Sequence, residues 1–248
     1  MSDKNNTICQ VHDFIRVLDE HGVIVSSSPL YDLIKSLERT NATRGLSYKL
    51  YCLEFRNVSD KQLIRCDKWD GSGLSAYLNL DISLVENGAF KFGDVDSAVV
   101  EIVYEACSED TAELAKGAWH LDYHKNNPKG SEPDFIHPSY HFHHGGRAIK
   151  DDISNYGDLL IMDAPRLMHP PLDLFLAIDF ALTNFLDKRT WKNLRADTTY
   201  QEIVKESQKN WWKDYFQQIS NYWMHSEYSG AESVATCDLA RLSNPYLY

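Results

Sequence analysis

Histidines dominate the part of this chain that could do chemistry. Seven of the ten fall between Trp119 and His169 (His120, His124, His137, His141, His143, His144 and His169), where an even spread would place about two. Their spacing says more than their number. In Trp119-His120-Leu121-Asp122-Tyr123-His124 a strand puts the three apolar rings and chains on one face. His120, Asp122 and His124 then share the other. In Tyr140-His141-Phe142-His143 the two histidines again share a face. If these segments pair as neighbouring strands, four histidines and an aspartate meet on one patch, with opposed Cβ atoms about 4.5–5.5 Å apart.

Three kinds of chemistry suit such a patch. Three imidazoles, His120, His141 and His143, can surround one divalent metal ion and leave a fourth position for water. Asp122 then serves as a ligand or as the acceptor that fixes an imidazole. Without metal, two histidines near neutrality can donate and accept protons, which suits RNA cleavage through the 2′-hydroxyl and phosphoester transfer generally. The third possibility is structural: a sheet face can carry His and Asp because it meets solvent or a partner chain. The residue types alone leave all three open.

Two flanking runs could hold phosphate. His144-Gly145-Gly146-Arg147 offers paired glycines for positive φ and close backbone approach, and an arginine for a bidentate grip. A tight turn with a surface arginine is the simpler reading of the same letters. Asp163-Ala164-Pro165-Arg166-Leu167-Met168-His169-Pro170-Pro171 either brings Asp163, Arg166 and His169 to the edge of the patch or is a connection stiffened by prolines with an Asp163–Arg166 ion pair. Asp179 lies within an apolar helical run, so it must be paired or protonated, with Arg166 or a histidine as a partner or simply as a satisfied core group. No P-loop, dinucleotide fingerprint, nucleophile elbow or kinase motif occurs. Glu101 and Glu105 are strand carboxylates, but neither has the lysine two residues on that a PD-(D/E)xK-like nuclease core requires.

The elements that position these residues read as helices, then strands, then helices: an α+β layout. Val11, Phe14, Ile15 and Leu18 mark a first helix that stops at Gly22, and a second begins at Pro29 with Ser28 as its cap. Ala76 to Val85 alternates as a half-buried strand, followed by the hairpin signal Asn87-Gly88 and a return from Ala89 to Phe92. Further strands are expected at Ser47–Arg56, Gln62–Trp69, Ala98–Ala106, Ala118–Lys125, Tyr140–Gly145 and Asp158–Asp163. That makes an antiparallel sheet of about six to seven strands. Pro170-Pro171 opens an apolar helix to about Leu186. Thr199 to Glu202 forms a capping box for a helix reaching Met224, which carries Trp211, Trp212 and Trp223 as core or as a partner anchor. We expect one domain: a helical part at 1–45, the sheet with its histidine strands at 46–165, and a helical part at 166–248.

The block Trp119-His120-x-Asp122-x-His124, His137-Pro138-x-x-His141-x-His143-x-Gly145-Gly146 and Asp163-Ala164-Pro165-Arg166-x-x-His169-Pro170-Pro171-x-Asp173 resembles a bacterial family of unknown function. In some anti-phage defence islands, members of that family are encoded beside a helicase. The likeness covers residues 118 to 186. It brings no activity and no residue roles. What it implies is context: a prokaryotic cytosolic protein, a helicase partner and a role in phage defence.

Composition bounds the rest. The 248 residues are 43% hydrophobic and 25% charged, as expected of a globular chain, with a net charge of −11 that excludes a general nucleic-acid coat protein. Five well-separated cysteines without a Cys-x-x-Cys argue against a zinc ribbon and for reduced thiols. No secretory signal or membrane-spanning run is visible, so a cytoplasmic location is expected. The leading expectation is an enzymatic effector, a nuclease or phosphoesterase, using His120, Asp122, His124, His141 and His143. Gly145, Gly146, Arg147 and Arg166 would hold phosphate, with one divalent metal ion as the candidate cofactor. The alternative is a non-catalytic accessory subunit docking on a helicase or other nucleic-acid machine through Trp211 and Trp212. A small-molecule metal hydrolase or oxygenase is a third option.

Overall fold

In a computed structural model of the protein, residues 3–40, 45–59, 74–107, 114–124, 138–145, 167–244 and 247 are described. The fold is α+β with an antiparallel sheet. Six strands follow one another in chain order: β1 (Ser47–Glu54), β2 (Leu74–Leu84), β3 (Val95–Cys107), β4 (Leu114–His124), β5 (Tyr140–His144) and β6 (Leu167–Met168). Helices α1 (Asp3–Glu20) and α2 (Ser28–Arg39) precede the sheet, while α3 (Leu174–Phe185), α4 (Lys188–Arg195), α5 (Thr198–His225) and α6 (Ala231–Ser243) follow it.

Alternation decides which face of the sheet is covered. On β2, Ala76, Leu78, Leu80, Ile82 and Leu84 are buried, and the residues between them are half-buried. In register, Leu78 meets Ile102, Leu80 meets Val100, and Val100 meets Leu121 on β4, so one apolar face runs across three strands. It joins the buried stripes of α1 and α2 and the nearly all-round apolar α3 in a single core. Phe14 of α1 illustrates the junction, stacking on Tyr200 at 5.1 Å and meeting Phe175 edge-on at 5.2 Å. Each large side chain buried there is worth about 1.5–3 kcal/mol. The opposite face keeps the polar residues, including the histidine patch.

Several boundaries differ from expectation for local reasons. α3 begins at Leu174 because Asp173 caps it, its carboxylate accepting the Leu176 N–H at 2.9 Å, and Pro170-Pro171 stays outside the helix. α5 is capped by Asp197, which accepts from the Tyr200 N–H at 2.9 Å, two residues ahead of the expected Thr199 box. Asn87 does turn the chain, with φ 53, yet the return is not a strand from Ala89. Asp94 accepts the Ala89 N–H at 2.8 Å through its carboxylate and the Val85 N–H at 2.9 Å through its carbonyl. This wider loop delays β3 to Val95. The two-residue β6 and the helices α4 and α6 have no counterpart among the expected elements. The expected strands Gln62–Trp69 and Asp158–Asp163 lie outside the described residues.

Asp179 is a satisfied core group. It accepts from the Arg195 guanidinium in two places and from the Tyr200 hydroxyl at 2.8 Å. Those partners sit on α4 and α5, so its described partners include no histidine of the patch, and Arg166 lies outside the described residues.

Candidate metal centre

The decisive register lies between β4 and β5. His120 stands opposite His143, and Asp122 opposite His141. The apolar parity set Trp119, Tyr123, Tyr140 and Phe142 turns to the other side. There Tyr123 stacks on Tyr140 at 4.4 Å and Trp119 meets Phe180 and Phe185 of α3. That packing anchors both strands from below and fixes which side chains point up. A slip of one residue would send one strand's histidines into the core.

On the upper face three ligand atoms converge. His120 Nδ1 lies 3.1 Å from Asp122 Oδ2 and 3.2 Å from His143 Nε2, and His143 Nε2 lies 3.8 Å from Asp122 Oδ2. Donors bonded at about 2.0–2.1 Å to a tetrahedral ion stand about 3.3–3.4 Å apart, so this triangle has the size of one tetrahedral face. The group could hold a metal ion. Asp122 and His143 are buried and His120 nearly so, which removes competing bulk water from the donors.

The converging trio is not the expected one. Asp122 takes the place assigned to His141 as third ligand. His141 sits one pair along the ladder, with its ring stacked on His143 at 5.6 Å and Nδ1 3.1 Å from the Pro138 carbonyl. His141 is thus not among the three residues whose ligand atoms converge, whereas the carboxylate of Asp122 reaches back along its own strand to His120. His141 is nonetheless buried beside the centre. His124 holds the same parity at the end of β4, opposite Ser97.

Other expected site residues are placed elsewhere. His169 packs beneath the sheet against Phe142 and Phe180, not at the edge of the patch, because it shares the parity of Leu167, which stands opposite Phe142. Burial there lowers its pKa, partly offset by the bond of Nδ1 to the Pro170 carbonyl. His144 is exposed and shares the Trp119 side. Gly145 takes φ 95 and gives its N–H to the Ala118 carbonyl at 2.9 Å, closing β5 onto β4. Gly146, Arg147 and Arg166 lie outside the described residues. Trp211 is fully buried and part of the main core, so it cannot serve as a surface anchor. Trp212 is half-buried and gives its indole N–H to the Pro171 carbonyl at 2.8 Å. The exposed rings of α5 are instead Phe216 and Trp223.

Residues that the sequence did not single out as neighbours complete the polar face. Glu101 of β3 lies opposite His120, and Asn79 of β2 opposite Glu101. Only the register across three strands reveals this row. Farther along, Lys49 pairs with Asp81 at 2.6 Å. No described helix is long and apolar enough to cross a membrane. Compared with protein-family models, curated proteins and solved structures, the chain matches none of them.

Proposed function

We propose that the protein is a metal-dependent hydrolase of phosphoester bonds in nucleic acid or nucleotides, with His120, Asp122 and His143 holding one divalent ion. The observation that carries this reading is the triangle of donor atoms at 3.1, 3.2 and 3.8 Å. Three protein ligands leave a position open, and a metal held this way supplies a water acidic enough to act as a nucleophile near neutral pH. Two neutral imidazoles and one carboxylate leave a dication with net positive charge, which favours an anionic ester over a neutral one. His141, buried beside the trio, is the proposed proton-exchanging group. Arg147 and Arg166 are the proposed phosphate grips. A role in anti-phage defence, a cytosolic location and a helicase partner rest on the family resemblance alone and are proposed on that footing.

The test begins with elemental analysis of untagged protein purified without chelator. Hydrolysis of bis-p-nitrophenyl phosphate and of single- and double-stranded oligonucleotides follows. About one equivalent of zinc, manganese, iron or nickel, lost together with hydrolysis in Asp122→Asn and His143→Ala, supports the reading. No metal after incubation with divalent ions, and no hydrolysis, overturns it. The accessory-subunit reading would then be pursued by co-purification with a helicase.

A further inference from the structure

On the covered side of the sheet, away from the histidine patch, a cavity of about 190 Å³ lies between α1, α2, β1, α3 and α5. Leu37, Phe90, Leu174 and Phe175 give it apolar walls, and the exposed Asp3, Asn6 and Lys91 stand at its mouth. A void of roughly 150 Å³ suffices for benzene. This one is not purely apolar: its lining includes the buried polar side chains of Asp173, Tyr48 and Thr7, which are 7%, 2% and 8% exposed.

The bonding of these three groups is incomplete. Asp173 accepts the Leu176 N–H at 2.9 Å and the Ser207 hydroxyl, but no cation among the described residues pairs with its carboxylate. Buried charges are ordinarily paired. Burial lifts the Asp173 pKa to about 6, so above that pH it is a buried anion without a counter-ion. The hydroxyls of Tyr48 and Thr7 have no hydrogen-bond partner among the described residues. Register fixes Tyr48: it lies on the regular part of β1 opposite Ile82, ahead of the bulge between Leu50 and Leu53 in which Cys52 takes φ 55. Lys91 is the only lysine or arginine in the lining, and its ammonium lies 3.7 Å from Asp94. Asp3 and Glu206 join Asp173 there, so the lining is negative on balance.

We propose that this cavity binds a small organic cation, a primary ammonium group on an apolar body about the size of benzene. An ammonium carries three donors and no acceptor. Asp173 is its counter-ion, the Tyr48 and Thr7 oxygens accept its remaining protons, and the apolar walls cover the body. A neutral ligand leaves Asp173 unpaired, and an anion is repelled. The site is separate from the metal centre and does not depend on it.

The probe is benzylamine, with benzyl alcohol and benzoate as its neutral and anionic counterparts. Each is titrated calorimetrically into the full chain at about pH 8, where Asp173 is ionised and the amine protonated. Benzylamine should bind saturably, one to one, and at least about 10-fold tighter than benzyl alcohol, with benzoate not binding. Asp173→Asn keeps the helix cap and should erase the preference for the cation. Tyr48→Phe keeps the ring and should weaken benzylamine about 2–10-fold. Equal affinity for benzylamine and benzyl alcohol, a preference that survives Asp173→Asn, or no saturable binding by the wild type overturns the assignment. If Asp173→Asn does not fold, Tyr48→Phe decides: undiminished affinity for benzylamine overturns it as well.

Discussion

Gly117 offers a sharp test because two effects there carry opposite signs. It lies on β4 opposite Tyr104 of β3, and a Cβ added to it would sit 2.3 Å from the Tyr104 ring. Ordinary contact needs at least about 3.4 Å, so the ring would have to retreat by roughly 1 Å. Tyr104 cannot do so freely, since it packs on Trp119 at 5.8 Å and on Phe185 at 5.7 Å. Overpacking of this kind costs about 1–3 kcal/mol. Against this, a glycine-to-alanine change on compatible backbone stabilises by about 0.4–1 kcal/mol through the unfolded chain. Gly117→Ala should therefore destabilise the wild type by about 1–2 kcal/mol, lowering the melting temperature by roughly 2–8 °C for a chain of this size. In a Tyr104→Ala background the same change should be neutral or stabilising. Urea unfolding of the four proteins gives the coupling directly. An equal loss in both backgrounds would refute the steric account. The contact matters to the site because Gly117 helps lock the β3–β4 register that sets His120 opposite Glu101.

Three other outcomes follow from the same geometry. His143→Ala should abolish zinc binding while His141→Ala changes affinity only a few-fold, since His141 faces Pro138; titration with zinc separates the two. Burial raises the pKa of Asp173 from 3.8 to about 6, so its proton is held more tightly folded than unfolded. The stability this confers is full below about pH 4 and is lost as pH rises through 6, up to about 3 kcal/mol. Asp173→Asn keeps the helix cap, and its unfolding free energy should gain on the wild type between pH 4 and 7. Tyr200→Phe removes the hydroxyl that Asp179 accepts at 2.8 Å and should cost about 1.5–3 kcal/mol in urea unfolding at neutral pH.

How much of this was legible depended on whether the determinant was local. The stripe Val11, Phe14, Ile15 and Leu18, the alternation of β2 and the shared parity of His120, Asp122 and His124 are readable because each rests on one element's own period. The β4–β5 register is not, because it depends on packing under the sheet, where Tyr123 stacks on Tyr140. So Asp122 could be named as a candidate ligand while its exchange of roles with His141 could not. Trp211 and Trp223 occupy the same helix and look alike in the sequence. Trp211 joins the core built with α1 and α3, while Trp223 on the same helix stays exposed. The Asp179–Arg195–Tyr200 cluster joins three helices, and no spacing rule connects them.

β1 stands at one end of the described sheet, and an end strand is a template on which another chain can add itself. Its outer edge is shortened from both directions. Beyond the bulge at Cys52, the chain around Ile24 occupies the edge, with Val25 donating to the Glu54 carbonyl at 3.0 Å and Arg56 to the Val23 carbonyl at 2.8 Å. Before it, Lys49 places a charge on the strand. What remains is a short, kinked ladder, a poor seed for fibrillar association even though Tyr51 is exposed beside it. Deleting Cys52 to straighten β1 would lengthen that template, and turbidity on concentration should then rise before any loss of folded structure is detected.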